Sequence, residues 1–289
     1  MATVEGLTAT ELNYPQHVTL ADDAAILQAR ALGLAVTALN MRYDPPTFAA
    51  GAFTHPDPTT RVAAIRLTTD AVDLAARHDI PHVIVWPGPD GVDVPFQADY
   101  AELWEHQVAS LRAVARHDPD VRVSIEYKPS DPRRASLVAN MGEALLCAAD
   151  TGEPNVGVTL DLCHGLMAGE IPAKAAALAL GRGTLFGLHL NDGYGQADDG
   201  LMVGSVHLDQ LRELLWTLRT HDWDGTVYFD TFPTNLDPVA EASLNIATIE
   251  RAEAFLDTIP ADAMRAAQAS QDAIRVRRAL LRTTGTDRG

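Results

Sequence analysis

The chain has 289 residues, 47% of them hydrophobic, with a formal net charge of −17 and a pI near 4.8. That length fits two modest domains or one large α/β-barrel core, and the acidic balance speaks against nucleic acid, whose phosphates are held by Lys/Arg-rich surfaces. No stretch has the roughly eighteen consecutive apolar residues of a membrane span, "MATVEGLTATELNYP" lacks the basic and long apolar regions of an export signal, and Cys147 and Cys163 are too few for a disulfide framework or a thiolate metal cage. The expectation is a cytoplasmic protein with no nucleic-acid or membrane partner.

Short runs rich in Val, Ile and Leu alternate with helical patterns, the βαβα signature of a parallel sheet. A first strand is expected over 5–12, a helix over 20–32 and a second strand over 34–40. Asp57 and Pro58 form an N-cap and N1 pair. The helix they open is expected to bury Val62, Ile65, Thr69, Val72 and Ala76. A strand over 81–86 leads to a helix whose stripe is Trp104, Val108, Leu111 and Ala115, spaced four, three and four. Strands over 121–127, 156–162, 184–190 and 225–230 then alternate with helices over 133–150, 171–180, 207–219 and 238–257. "ADAMRAAQASQDAIRVRRALLR" reads as one last helix with a basic final turn suited to its dipole.

No linker or charge block interrupts this run. Residues 1–260 are read as one (β/α) barrel catalytic domain of the TIM type and 261–289 as a C-terminal helical extension. No Gly-rich phosphate loop follows any strand, which favours a barrel over an open doubly wound sheet. Seven strands are found where a closed barrel has eight. Either the usual first strand is lacking, a stretch is misread, or the barrel is incomplete on its N-terminal side.

In a parallel barrel, alternate residues of each strand face the helices and the others face inward, with functional groups at the C-terminal rim. In "VRVSIEYK" the helix-facing set is Val121, Val123 and Ile125, so Glu126 and Lys128 point inward. In "VGVTLDLCH" the outer set is Val156, Val158, Leu160 and Leu162, which turns Asp161 inward and leaves His164 in the loop above. Phe186, Leu188 and Leu190 face out and His189 in; Val227 and Phe229 face out and Asp230 in. Three carboxylates at one rim repel, by about 4 kcal/mol for two charges about 4 Å apart at an effective dielectric near 20. A divalent cation removes that cost. The mostly hard oxygen set suits Mn²⁺ or Mg²⁺, with Co²⁺ and Zn²⁺ admitted.

The stretches "GAFTHPD" (51–57), "WPGPDG" (86–91), "EYKP" (126–129), "LDLCH" (160–164), "HLNDGYGQADDGL" (189–201) and "DTFP" (230–233) resemble the metal-dependent sugar isomerases and epimerases of the xylose isomerase-like TIM-barrel superfamily, with L-rhamnose isomerase as nearest named member. The resemblance implies that Glu126, Asp161, His189 and Asp230 hold a structural metal, Mn²⁺ above all. It implies that Asp161 also bridges to a catalytic metal bound by His164 and by Asp198 or Asp199. It places Lys128 beside the substrate oxygens, His55 on the sugar ring or at its opening, and Trp86 in the pocket wall, with His164 close to substrate. It further implies a homo-oligomer, for which a last helix bearing Arg275, Arg277, Arg278 and Arg282 offers a docking face.

Singly, each residue has a plainer reading. Glu126 and Lys128 make a structural ion pair, Asp161 a loop cap for His164, His189 a satisfied core histidine, and Asp230 a turn starter. Trp86 reads as core, His55 as a loop residue, and Asp198 and Asp199 as a solvated turn. The shared inward phase on four successive strands outweighs these readings jointly. The expected activity is aldose–ketose isomerisation of an unphosphorylated sugar by a metal-mediated hydride shift between C1 and C2. Epimerisation with Glu126 and Asp230 on opposite faces, or C-glycoside cleavage, stays open on the same cradle. Metal-dependent nucleic-acid repair is opposed by charge, and a non-catalytic metal- and sugar-binding relic is the remaining alternative.

Overall fold

The computed structural model describes residues 4–282. In chain order the elements are β1 (Ala9–Tyr14), α1 (Ala24–Ala31), β2 (Ala35–Met41), α2 (Pro58–Arg77), β3 (His82–Val85), β4 (Gly91–Val92), α3 (Tyr100–His117), β5 (Arg122–Glu126), β6 (Ser130–Asp131) and β7 (Arg134–Ser136). They continue with α4 (Met141–Thr151), β8 (Val156–Asp161), α5 (Leu162–Met167), α6 (Pro172–Leu180), β9 (Leu185–Leu190), α7 (Leu208–Thr220), β10 (Val227–Phe229), α8 (Pro238–Asp257), α9 (Ala261–Ser270) and α10 (Ala273–Arg282).

Seven strands form one parallel sheet in the order β1-β2-β3-β5-β8-β9-β10. Helices pack on its outer face, and the edge strands β1 and β10 approach each other without pairing. The result is a nearly closed TIM-type barrel one strand short. At the seam lies a cavity of about 480 Å³, lined by Leu7 and Ala9 on one side and Val227, Phe229, Ile246 and Ile249 on the other. The expected first strand begins later than its apolar run, at Ala9.

The local chemistry explains where helices start. Asp57 accepts a bond from Thr59 N with Pro58 in the first turn, and Asp99 and Asp237 cap α3 and α8 in the same way. The α3 stripe is buried at Val108, Leu111 and Ala115. On α2 the buried face is instead Ala64, Thr68, Ala71, Val72 and Leu74, while Val62 and Ala76 are exposed.

Two expected helices are corrected. The stretch over 133–150 is helical only from Met141, where the Asn140 side chain accepts from Glu143 N at 2.9 Å. Before it, β6 and β7 form a hairpin turning at Pro132 and pair with β4 as a small antiparallel sheet. The last helix is two, because Gln271 takes a left-handed φ of 50 and Asp272 starts α10 by accepting from Ile274 N. Met264 of α9 joins the main hydrophobic cluster. Residues 283–289 of the expected extension lie outside the described residues.

Inside the barrel the inward residues stack in layers. The lower one is a hydrogen-bonded chain, His82 Nε2 to Ser124 Oγ at 2.7 Å and Ser124 Oγ to Thr159 Oγ1 at 2.6 Å. Phe186 departs from its expected outward phase. The register between β8 and β9 shifts at Val158/Thr159, leaving Phe186 unpaired, and its ring meets His82 edge-on with centroids 6.2 Å apart. This bulge has a consequence one layer up, since it brings Asp161 directly opposite His189.

Candidate active site

The upper layer ends the strands. Glu126 closes β5, Asp161 closes β8, His189 lies near the end of β9, and Asp230 follows β10. Each offers one ligand-capable atom, and these four atoms all lie within 4.8 Å of one another. Glu126, Asp161 and His189 are buried. Asp161 is also the N-cap of α5, with Oδ1 accepting from His164 N at 2.9 Å. That cap swings His164 back over the cluster.

Burial and neighbouring charges shift these groups in opposite directions. Burial pushes the Asp161 carboxyl up to about 7, reinforced by the Asp230 and Glu126 charges and opposed by His164. Burial also raises Asp230. It would raise Glu126 too, but the His189 charge and hydrogen bond, with His164, hold that group at about 2. Desolvation would strip His189 of its proton; Glu126 and Glu11 instead hold it well above its ordinary value. His164, against the same burial, is carried to about 9 by Asp161 and Asp198.

A divalent cation suits this donor set better than two imidazolium protons. His164 Nδ1 is buried without a hydrogen-bond partner. It stands 3.6 Å from Glu126 Oε1 and 3.8 Å from Asp161 Oδ1. Those gaps exceed hydrogen-bond reach, and an ion beside the carboxylates would give the unpartnered His164 nitrogen a partner. The chemistry is hard oxygen plus imidazole.

Above the cluster opens a cavity of about 580 Å³ lined by Glu126, Asp230, Lys128, His164, Asp198 and Trp86, among others. Asp198 Oδ2 is shared, lying 3.2 Å from Lys128 Nζ and 3.2 Å from His164 Nε2. Lys128 also reaches Asp131 at 3.3 Å. Burial opposes its charge, but Asp198 and Asp131 raise its pKa. Lys128 Nζ lies 5.4 Å from the Trp86 ring centroid, and the Arg42 guanidinium 5.6 Å from it. Phe232 enters the wall where Gly200, at φ +55, leaves room: a Cβ there would stand 2.3 Å from the Phe232 ring.

Residues 5–257 match the family described as Xylose isomerase-like TIM barrel. The chain belongs to that family. Xylose isomerase from Thermus thermophilus is 31% identical over 194 residues, covering 65% of this chain and 50% of that protein. The chain therefore spans about half the length of the curated relatives it matches. Among solved structures, D-allulose 3-epimerase from Methylomonas sp. superposes with a TM-score of 0.67 at 17% identity, over 86% of this chain and 87% of that one. A D-tagatose 3-epimerase-like protein gives 0.65 at 16% identity over 81% and 82%. At these identities the structural likeness speaks for the xylose isomerase-like fold.

On this family barrel, the residues singled out from sequence separate into two groups. Glu126, Asp161, His189, Asp230, His164, Asp198, Lys128 and Trp86 converge at one end of the barrel. Asp199 turns away, its Oδ2 accepting from Tyr194 N at 2.7 Å, so it braces the loop that presents Asp198. His55 does not line the cavity. Its Nδ1 accepts from Asp57 N at 3.0 Å, within its own loop.

Three participants escaped the sequence reading. Glu11 on β1 is buried, with Oε2 3.1 Å from His189 Nε2 and 2.8 Å from Asn40 Nδ2. Asn191 donates to Asp161 Oδ2 at 2.9 Å and to the Asp230 carbonyl at 3.1 Å, and accepts from Cys163 N at 2.9 Å. Arg42 lines the cavity from the end of β2. A carboxylate inside an expected strand was the available signal for Glu11; Asn191 and Arg42 carried none.

Proposed function

We propose that this chain is a divalent-metal-dependent aldose–ketose isomerase acting on an unphosphorylated sugar, of the L-rhamnose isomerase-like kind, interconverting C1 and C2 carbonyl forms by a hydride shift. The observation that carries the reading is the four-residue cluster at the floor of a cavity that also holds a fixed ammonium. The sequence relation to xylose isomerase supports isomerisation.

In this reading Glu126, Asp161, His189 and Asp230 hold the cation, with Mn²⁺ the first candidate, and His164 and Asp198 are placed for a second. When bound, the cation polarises two adjacent sugar oxygens as a Lewis acid. Lys128, held by Asp198 and Asp131, stabilises negative charge developing on a sugar oxygen. With no second cation there, His164 Nε2 and Asp198 Oδ2, 3.2 Å apart, can share a proton and relay it between sugar oxygens. Trp86 and Phe232 cover the apolar side of the ring and exclude water.

One observation favours epimerisation as the second reading. Of the four clustered residues, Glu126 and Asp230 are the two that line the cavity among the described residues, which suits removal and return of a proton on opposite faces. The test is a panel of free pentoses, hexoses and deoxyhexoses with Mn²⁺ in deuterated water, followed by NMR. Aldose–ketose interconversion without deuterium on carbon is the expected result. Epimers carrying deuterium at the inverted carbon would establish the second reading, and turnover of no sugar would overturn both.

A further inference from the structure

We infer that the site takes a reducing disaccharide, with the reacting ring over the acidic floor and a second sugar ring in a neighbouring cavity beyond Trp86. This rests on the sugar chemistry proposed above and names its substrate class. Next to the inner cavity of about 580 Å³ lies an outer one of about 430 Å³. Arg42, Trp86, Asp131 and Pro132 border both, so the two cavities are neighbours that meet at these residues, and they are taken together as one cleft with these residues at its waist. Each volume is within the range that binds small molecules. At about 30 Å³ per water in the liquid, the outer space corresponds to roughly fourteen waters, room for another ring. A lone hexose at the floor would leave it to solvent.

The waist has the chemistry of saccharide recognition. The indole face offers apolar area to the C–H face of a pyranose, and its position is fixed by a missing side chain. A Cβ on Gly88 would stand 2.3 Å from the Trp86 ring, so the ring lies against bare backbone. Lys128 is neutralised by Asp131 and Asp198. Arg42 differs, since it forms no ion pair among the described residues, and its side chain borders both cavities. Its planar fork of donors matches neighbouring hydroxyls.

Charge decides between a neutral ring and an anionic substituent. The outer cavity is lined by Arg42, Arg133 and Arg134 and by Asp44, Asp93 and Asp131, a formal sum of zero, with Asp93 paired to both Arg133 and Arg134 and Asp131 paired to Lys128. A lining whose formal charges sum to zero gives little net attraction to a phosphate or carboxylate. Opening of the reacting ring needs a free anomeric carbon. The second ring is therefore joined through another hydroxyl of the reacting sugar, which leaves the reducing end at the floor.

Alditols cannot isomerise, so their binding is read apart from turnover. Mn²⁺-loaded protein is titrated by calorimetry with hexitols and with borohydride-reduced 1→3, 1→4 and 1→6 disaccharides. At least one reduced disaccharide is expected to bind tenfold or more tighter than any hexitol. Ala49→Trp, which fills the outer cavity from an exposed position, and Arg133→Ala, 85% exposed at its side chain, are expected to reduce that advantage and leave hexitol binding unchanged. Equal binding of both classes, or an advantage that survives both variants, would overturn the inference. If the advantage is present but no sugar turns over, the cleft stands and the reaction reading fails; if hexoses turn over and all alditols bind alike, the reverse holds.

Discussion

Glu11 and His189 meet across the barrel interior, with Oε2 of the carboxylate 3.1 Å from Nε2 of the ring. The other ring nitrogen, Nδ1, lies 3.3 Å from Glu126 Oε1. A histidine whose Nε2–H is committed to a buried carboxylate has its Nδ1 lone pair free for a cation once the Nδ1 proton leaves. Glu11 thus selects the tautomer and fixes the ring plane, and removing such a partner commonly costs about 10–100-fold in metal affinity. Glu11→Ala is expected to weaken Mn²⁺ binding by that order, and Glu11→Gln, which keeps an acceptor, by less. Unchanged affinity in Glu11→Ala would show that Glu11 does not position the ligand.

Repulsion among Glu126, Asp161 and Asp230 makes a second prediction. Without a cation, a neutral isostere at one of these positions relieves like-charge strain. Asp230→Asn is expected to melt higher than the wild type after chelation and to lose most of the stabilisation that Mn²⁺ gives the wild type, since that gain is binding to the folded state alone. Differential scanning calorimetry with and without Mn²⁺ reads both. A lower melting point for metal-free Asp230→Asn would mean that the three carboxylates are not in tension.

Asn191 is a brace. Its amide serves Asp161 Oδ2, the Asp230 carbonyl and Cys163 N together. Asn191→Ala orphans two buried groups, Asp161 Oδ2 and Cys163 N, and frees the part-buried Asp230 carbonyl, and each unsatisfied buried group costs about 1–3 kcal/mol. A loss of several kcal/mol in urea unfolding is expected, with the metal site loosened. A loss under about 1 kcal/mol would show that water substitutes freely for the amide.

The C-terminal break is tested at Gln271, which holds φ 50 with a full side chain. Left-handed backbone costs an L-residue about 1–2 kcal/mol relative to glycine. Gln271→Gly is expected to slow amide exchange in α9 and α10 without altering the barrel; faster exchange would show that unfolded-chain entropy outweighs the relief.

The strand pattern was legible because each barrel strand must bury one face on helices, so period two in Val123, Ile125, Val158 and Leu160 survives in sequence. The same parity located Glu126, Asp161, His189 and Asp230. It failed at Phe186, where an unpaired residue resets the phase, and it could not choose between Asp198 and Asp199, because a loop has no fixed period. The hairpin of β6 and β7 was hidden by helix-compatible residues after Arg133. Its pairing with Gly91 and Val92 is a tertiary decision. His55 was placed by its motif alone, and its ring bonds within its own loop.

In the proposed function, four strand ends of this barrel share one cation. Chelator-stripped wild-type protein and Asp161→Asn should be titrated with Mn²⁺ and free Mn²⁺ followed by electron paramagnetic resonance. Saturable uptake by the wild type is expected, and Asp161→Asn should lose it while keeping its circular dichroism spectrum. Failure of the folded wild type to take up Mn²⁺, or equal uptake by both proteins, would contradict it.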